Sequence, residues 1–76
     1  MEVLLHLDMG NGHVETLEEV EVTHLPRVND TIALVLPKDN KVSNYVVTHV
    51  KHEFVQGSLR IFKQRQIEIT AYRKET

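Results

Sequence analysis

The chain has 76 residues, a mass of 8.8 kDa and a net charge of −2, enough for one domain, residues 1–76, near the lower limit of what folds alone. It has no cysteine, which excludes disulfides and thiolate metal sites, and an apolar fraction of 41%, which argues against intrinsic disorder. Val, Ile and Thr make up 21 of the 76 residues and Ala only two, a composition that favours pleated strands over helices.

In chain order, Glu2-Val3-Leu4-Leu5-His6-Leu7-Asp8 alternates with period two, placing Val3, Leu5 and Leu7 on one face of a half-buried strand. Gly10-Asn11-Gly12 follows as a turn, since all three residue types accept positive φ. Residues 14–24 are ambiguous. Thr16-Leu17-Glu18-Glu19 resembles a helix-capping sequence, whereas Val20-Glu21-Val22-Thr23 alternates and is β-branched. The reading adopted is a loop or one short helical turn to Glu18, then a strand over 19–24.

Leu25-Pro26-Arg27-Val28-Asn29-Asp30 reads as a pinned turn with Leu25 and Val28 in the core, and 31–36 as a short central strand with Ile32 inward. Residues 37–41 form a polar turn opened by proline. The stretch 44–54 is the longest strand candidate. Its inward set Tyr45, Val47, Val50 and Phe54 breaks step between Val47 and Val50, which predicts a bulge there. After a turn at Gly57-Ser58, two strands are expected on either side of a polar loop, Lys63-Gln64-Arg65-Gln66, because one continuous strand would carry that tetrapeptide across a core. A charged tail, 73–76, is expected to fray.

The residues Leu25, Pro26, Val28, Asp30 and Ile32, followed by Tyr45, Val47, Val50, His52 and Phe54, carry a pattern of hydrophobic-Pro-x-Val-Gly-Asp-x-Ile and Tyr-x-Val-x-x-Val-x-His-x-Phe. This resembles small, mostly uncharacterised SH3-like barrel proteins of bacterial and phage genomes. The resemblance implies an all-β fold, a small SH3-like barrel of five or six antiparallel strands, and no catalytic residue, because the shared positions are core and turn positions. Asn29 replaces the glycine of the pattern, and asparagine is the next most tolerant residue for a left-handed backbone.

Functional signals are sparse. Ser43 and Ser58 lack any nucleophile context, Gly10-Asn11-Gly12 is no phosphate loop, and Glu18-Glu19 reads as a solvated acidic pair, so no enzyme activity and no cofactor are expected. The five histidines (His6, His13, His24, His49, His52) match no metal-ligand spacing, and no metal site is assigned. Residues 1–26 carry six acids and no Lys or Arg, and 27–76 carry nine bases against five acids; interleaving of strands is expected to blur this asymmetry. No apolar run is long enough for a membrane-spanning helix, and the start of the chain lacks a basic, cleavable leader, so a cytoplasmic protein without membrane contact is expected.

The candidate binding residues are Arg60, Phe62, Lys63, Arg65 and Tyr72, a mixture of cations and rings near the end of the chain. With Ile61, Ile69 and Ala71 inward, alternation would turn Arg60, Phe62 and Tyr72 outward together. Two uses follow. The favoured one is contact with a protein partner or a second copy of the chain in a homo-oligomer. The alternative is single-stranded nucleic acid, with cations for phosphate and rings for stacking, against which the negative net charge weighs.

Overall fold

A computed structural model describes residues 1–35, 37 and 40–74. The chain is all-β: five strands, β1 (Glu2–Gly10), β2 (His13–Glu21), β3 (Thr31–Val35), β4 (Val42–Ser58) and β5 (Ile61–Arg73), form one sheet in the order β2-β1-β5-β4-β3. The sheet curls into a half-barrel. β1 and β5 pair in parallel, with Leu5 beside Ile69 and Leu7 beside Ala71, while the other neighbours are antiparallel. The expectation of antiparallel pairing throughout is corrected at this one, central, ladder. No helix among the described residues is long and apolar enough to cross a membrane.

The alternation of β1 turns Val3, Leu5 and Leu7 into the concave face, where they meet Tyr45 and Val47 of β4 and Ile67, Ile69 and Ala71 of β5. These eight residues are the buried core. Leu17, Val20, Val22, Leu25, Ile32, Leu34 and Val50 pack around them, half-buried. No polar side chain is buried in this set. The Tyr45 hydroxyl instead lies 3.4 Å from the Met9 sulfur, a partner soft enough to sit against the core.

Three local devices shape the sheet. The Gly10-Asn11-Gly12 turn joins β1 to β2 with all three φ angles positive, 86°, 56° and 74°. At 27–30 the Asp30 carboxylate accepts the Arg27 amide at 2.8 Å, and the Asp30 amide donates back to the Arg27 carbonyl at 3.0 Å. Asn29, at φ 77°, then donates to the Val47 carbonyl, and the Val47 amide donates to the Asp30 carbonyl, so the turn is clamped onto β4. The bulge expected between Val47 and Val50 is present: Thr48 is the extra residue, its hydroxyl donating to the Thr70 carbonyl at 3.2 Å.

Other expectations are corrected. The loop or helical turn over 14–18 is strand β2. A second bulge absorbs the break in its alternation, with Glu19 held at φ 55° so that Leu17 and Val20 both reach the core. Val28 is exposed rather than core, since the clamp at Val47 needs only the backbone of its neighbours. The final segment is one strand, not two with a polar loop. Lys63, Gln64 and Arg65 cross no core, because they stand on a part of β5 that leaves the barrel. Of the polar turn at 37–41, Lys38 and Asp39 lie outside the described residues, as do Leu36 and, in the tail, Glu75 and Thr76. Arg73 belongs to β5, and the Lys74 amide donates to the Asn44 carbonyl at 2.8 Å, so this part of the tail is tied down.

Two substitutions test the local devices. Asp30→Ala removes the acceptor that closes the turn and is expected to cost about 1 kcal/mol, seen as a fall in melting temperature of about 4–8 °C. Glu19→Gly relieves about 1 kcal/mol of left-handed strain against roughly 0.5 kcal/mol of added chain entropy. A small rise in the urea midpoint is therefore expected, and a clear fall would show that the Glu19 side chain contributes something its backbone does not.

Candidate functional site

The β4–β5 hairpin is far longer than the barrel needs. Pairing continues from Val50–Ile69 through Glu53–Gln66, Phe54–Gln64 and Gln56–Phe62 to Ser58–Ile61, closed by Leu59-Arg60 with Arg60 at φ 63°. Every residue from Phe54 to Arg65 is exposed. From Val50 to the tip the ribbon runs about 25 Å at the usual rise per residue. The molecule accordingly measures 49 × 21 × 20 Å, with a Cα radius of gyration of 14.1 Å, where a compact 76-residue domain would have about 11 Å. The hairpin is an arm.

A third bulge decides what the arm presents. Arg65 is the extra residue between the Glu53–Gln66 and Phe54–Gln64 pairs, so the alternation of β5 reverses there. On the barrel side of it, Ile67, Ile69 and Ala71 face inward. Beyond it Gln64 and Phe62 take that face, opposite His52, Phe54 and Gln56 of β4. Two contacts fix this assignment: Gln64 Nε2 and His52 Nδ1 are 3.0 Å apart, and the His52 and Phe54 rings stack with centroids 6.4 Å apart. The face that is core within the barrel, to which Val50 still belongs, thus runs out along the arm as His52, Phe54, Phe62 and Gln64, all exposed. It bears no Lys, Arg, Asp or Glu. The opposite face carries Lys51, Glu53, Val55, Ile61, Lys63 and Arg65, with Arg65 Nη1 3.7 Å from Glu53 Oε1.

Of the five candidate binding residues, Arg60, Phe62, Lys63 and Arg65 are therefore together on the arm. Tyr72 is not with them. It lies ten residues further along β5, roughly 30 Å away, on the outer face of the barrel beside Asp8 and Val46. The shared outward face expected for Phe62 and Tyr72 fails at the Arg65 bulge, which a period-two reading cannot anticipate. Phe54, read as core, lies on the inward face but is 55% exposed, because the barrel has ended by the time it appears. With Val55, Leu59, Ile61 and Phe62 it gives the arm five exposed large apolar side chains, Phe54 and Phe62 on the inner face and Val55 and Ile61 on the outer.

The charge asymmetry survives folding. β1 and β2 form one side of the sheet, so the acids Glu2, Asp8, Glu15, Glu18, Glu19 and Glu21 stay together, while the arm carries Lys51, Arg60, Lys63 and Arg65 against Glu53 alone. Where they adjoin, a groove at the base of the arm is lined by Glu2, Val3, Leu4, Glu18, Glu19, Arg65 and Gln66. A second, more apolar groove of about 430 Å³ follows the unpaired seam between β2 and β3, with Val20, Val22, Ile32 and Leu34 on its walls and Val3, Leu5 and Ile69 beneath.

A polar ladder crosses the outer face of four strands. Thr16 Oγ1 lies 3.0 Å from His6 Nδ1, His6 Nε2 lies 2.9 Å from Glu68 Oε1, and Lys51 Nζ lies 3.5 Å from Glu68 Oε2. With the His6 proton on Nε2, the ring donates to Glu68 and accepts from the Thr16 hydroxyl. Neither of the two grooves described above is lined by Thr16, His6 or Glu68. The hydrogen bond from His6, with help from Lys51, holds the Glu68 carboxyl below its ordinary range despite some opposing desolvation. Among the described residues no group of three or more His, Asp and Glu is placed to hold a metal ion.

No family model, curated protein or solved structure matches this chain.

Because the folded state lowers the Glu68 pKa, the ladder stabilises the fold above the ordinary carboxylate pKa and loses that contribution as pH falls through the folded value. Glu68→Gln is expected to melt below the parent protein at pH 7, with the gap closing towards pH 3. Calorimetry over that range checks it, and a gap that is constant or wider at pH 3 would contradict the assignment.

Proposed function

We propose that this chain is a non-enzymatic docking module, a half-barrel of the SH3-like kind whose β4–β5 arm is its contact element for protein. The proposal places it in the cytoplasm of a bacterium or of a phage-infected cell, in keeping with the sequence resemblance. The observation that carries the reading is the arm itself. The ribbon beyond the Glu53–Gln66 pair, roughly 20 Å long, leaves Phe54, Val55, Leu59, Ile61 and Phe62 in water and adds no core to the barrel. Aromatic and branched side chains exposed at this density mark interaction sites rather than ordinary surface. The arm has its own backbone ladder, so the contact surface is formed before the partner arrives.

A second reading, binding of single-stranded nucleic acid, is favoured by one specific observation: Arg60, Lys63 and Arg65 share the arm with Phe62. The six acids of β1 and β2 weigh against it, since a strand of phosphates passing the base of the arm meets Glu18 and Glu19. The loss of Tyr72 from the cluster leaves a single ring close to the three cations, with Phe54 set back along the other strand.

The readings separate experimentally. A photo-crosslinking phenylalanine analogue at position 62, introduced in cells expressing the chain, is expected to give a discrete protein adduct that the same analogue at Thr16 does not. Equal labelling from both positions, or none from 62, would count against the docking role. In parallel, a labelled oligothymidylate titrated at low salt is expected to show no change in anisotropy. Binding at low micromolar protein that weakens on Lys63→Glu would favour the nucleic-acid reading instead.

A further inference from the structure

The inner face of the arm and the acidic groove at its base have a relationship that a second copy of the chain would satisfy. We infer that the partner of the arm is another copy: two arms lie antiparallel with their inner faces together, which brings Arg60 at each tip alongside the acids Glu2, Glu18 and Glu19 at the base of the other arm. This rests on the docking role proposed above and names its occupant.

Three observations carry it. The first is the segregation of charge across the arm. The outer face holds Lys51, Lys63 and Arg65 against Glu53, so two outer faces would repel, whereas the inner face holds His52, Phe54, Gln56, Phe62 and Gln64 and no formal charge. An uncharged, ring-bearing surface can meet its own image, as an isologous interface requires. The Gln64 amide already pairs with His52 Nδ1, which lowers the desolvation cost of burying these two side chains.

The second is complementarity between tip and base. The arm between Lys51 and Arg65 carries four bases and one acid, and β1 with β2 carries six acids and no Lys or Arg. At the base groove Glu2, Glu18 and Glu19 outnumber Arg65, which also reaches towards Glu53. Arg60, held out at φ 63° in the closing turn beside Leu59, which is 86% exposed, is a cation with no ion pair within its own chain among the described contacts. In an antiparallel pair of equal arms each tip falls at the other's base, so one two-fold operation brings both cation–acid contacts together. Within a single chain the meeting cannot occur, because the ladder holds the tip roughly 20 Å from the groove.

The third is area. Two inner faces of this length and two strands' width, with both tips, bury on the order of 1,200 Å² in total, the lower end of specific interfaces. The expected dimer is therefore concentration-dependent, not permanent. Its centre is the four-ring cluster of Phe54 and Phe62 from each copy, where loss of one aromatic anchor is most costly.

The test is sedimentation velocity across a micromolar range, with the full chain and with Phe62→Asp. A reversible dimer is expected for the parent, with its midpoint moved upward about tenfold or more in the variant. Far-ultraviolet dichroism verifies that the fold is kept. A dimer that survives Phe62→Asp with an unchanged midpoint would overturn the inference. Orientation is read separately with the cysteine-free chain: single variants Arg60→Cys and Glu19→Cys, mixed and oxidised, are expected to give the mixed disulfide, whereas Arg60→Cys with Asp8→Cys is not. If both mixtures crosslink equally, the antiparallel arrangement is wrong. A strictly monomeric parent that still gives the position-62 adduct with a different protein would overturn the second-copy partner and leave the docking role standing. A monomer with no adduct would remove both.

Discussion

The parallel pairing of β1 with β5 is the constraint on which the architecture depends. It puts the two most regularly alternating apolar segments, Val3-Leu5-Leu7 and Ile67-Ile69-Ala71, side by side in the middle of the sheet. From there β2 can only extend one edge and β4 with β3 the other. The acidic hairpin and the basic arm are thereby kept on opposite sides of one ladder instead of interleaving. It also fixes the length of the barrel: β1 begins at Glu2, opposite the stretch of β5 before Glu68, and where β1 stops supplying partners β4 and β5 continue alone.

That geometry explains which parts of the fold were legible in the sequence. β1, the Gly10-Asn11-Gly12 turn, the clamp at 25–32 and the Thr48 bulge are written in strong local signals: period-two alternation, consecutive residues tolerant of positive φ, and one break in an otherwise regular apolar set. The strand over 14–21 was obscured because its regularity is interrupted at Glu19 by a left-handed residue that is neither glycine nor asparagine. Only the need for Val3 and Leu5 to find partners on β2 makes that conformation worthwhile. The continuous β5 was misread for a different reason. A polar run in the middle of a strand argues against the strand only if a core lies beneath it, and whether one does depends on where β1 ends, which is long-range information.

The candidate site was half legible. Cations and rings near the end of the chain marked Arg60, Phe62, Lys63 and Arg65, and the structure gathers them on the arm. The grouping with Tyr72 assumed the same phase of alternation at Phe62 and at Tyr72, and a single extra residue at Arg65 sends the two rings to opposite faces. Phe54 and His52, which complete the inner face, were hidden among core signals because the same pattern that fills the barrel simply continues past its end. The same ambiguity covers the ladder Thr16–His6–Glu68–Lys51, whose members lie on four strands and have no sequence spacing in common.

The arm is stitched by its own cross-strand hydrogen bonds and by little else, since no residue from Phe54 to Arg65 is buried. Its opening free energy is thus set by a two-stranded ribbon in water, a unit of marginal stability, while the barrel opens only with global unfolding. Leu59 stands 86% exposed at the tip, whereas Leu7 and Ile69 are buried in the barrel. Fraying at the tip leaves the barrel intact, so the chain can vary its most exposed apolar segment, in sequence or in conformation, without endangering the rest of its fold.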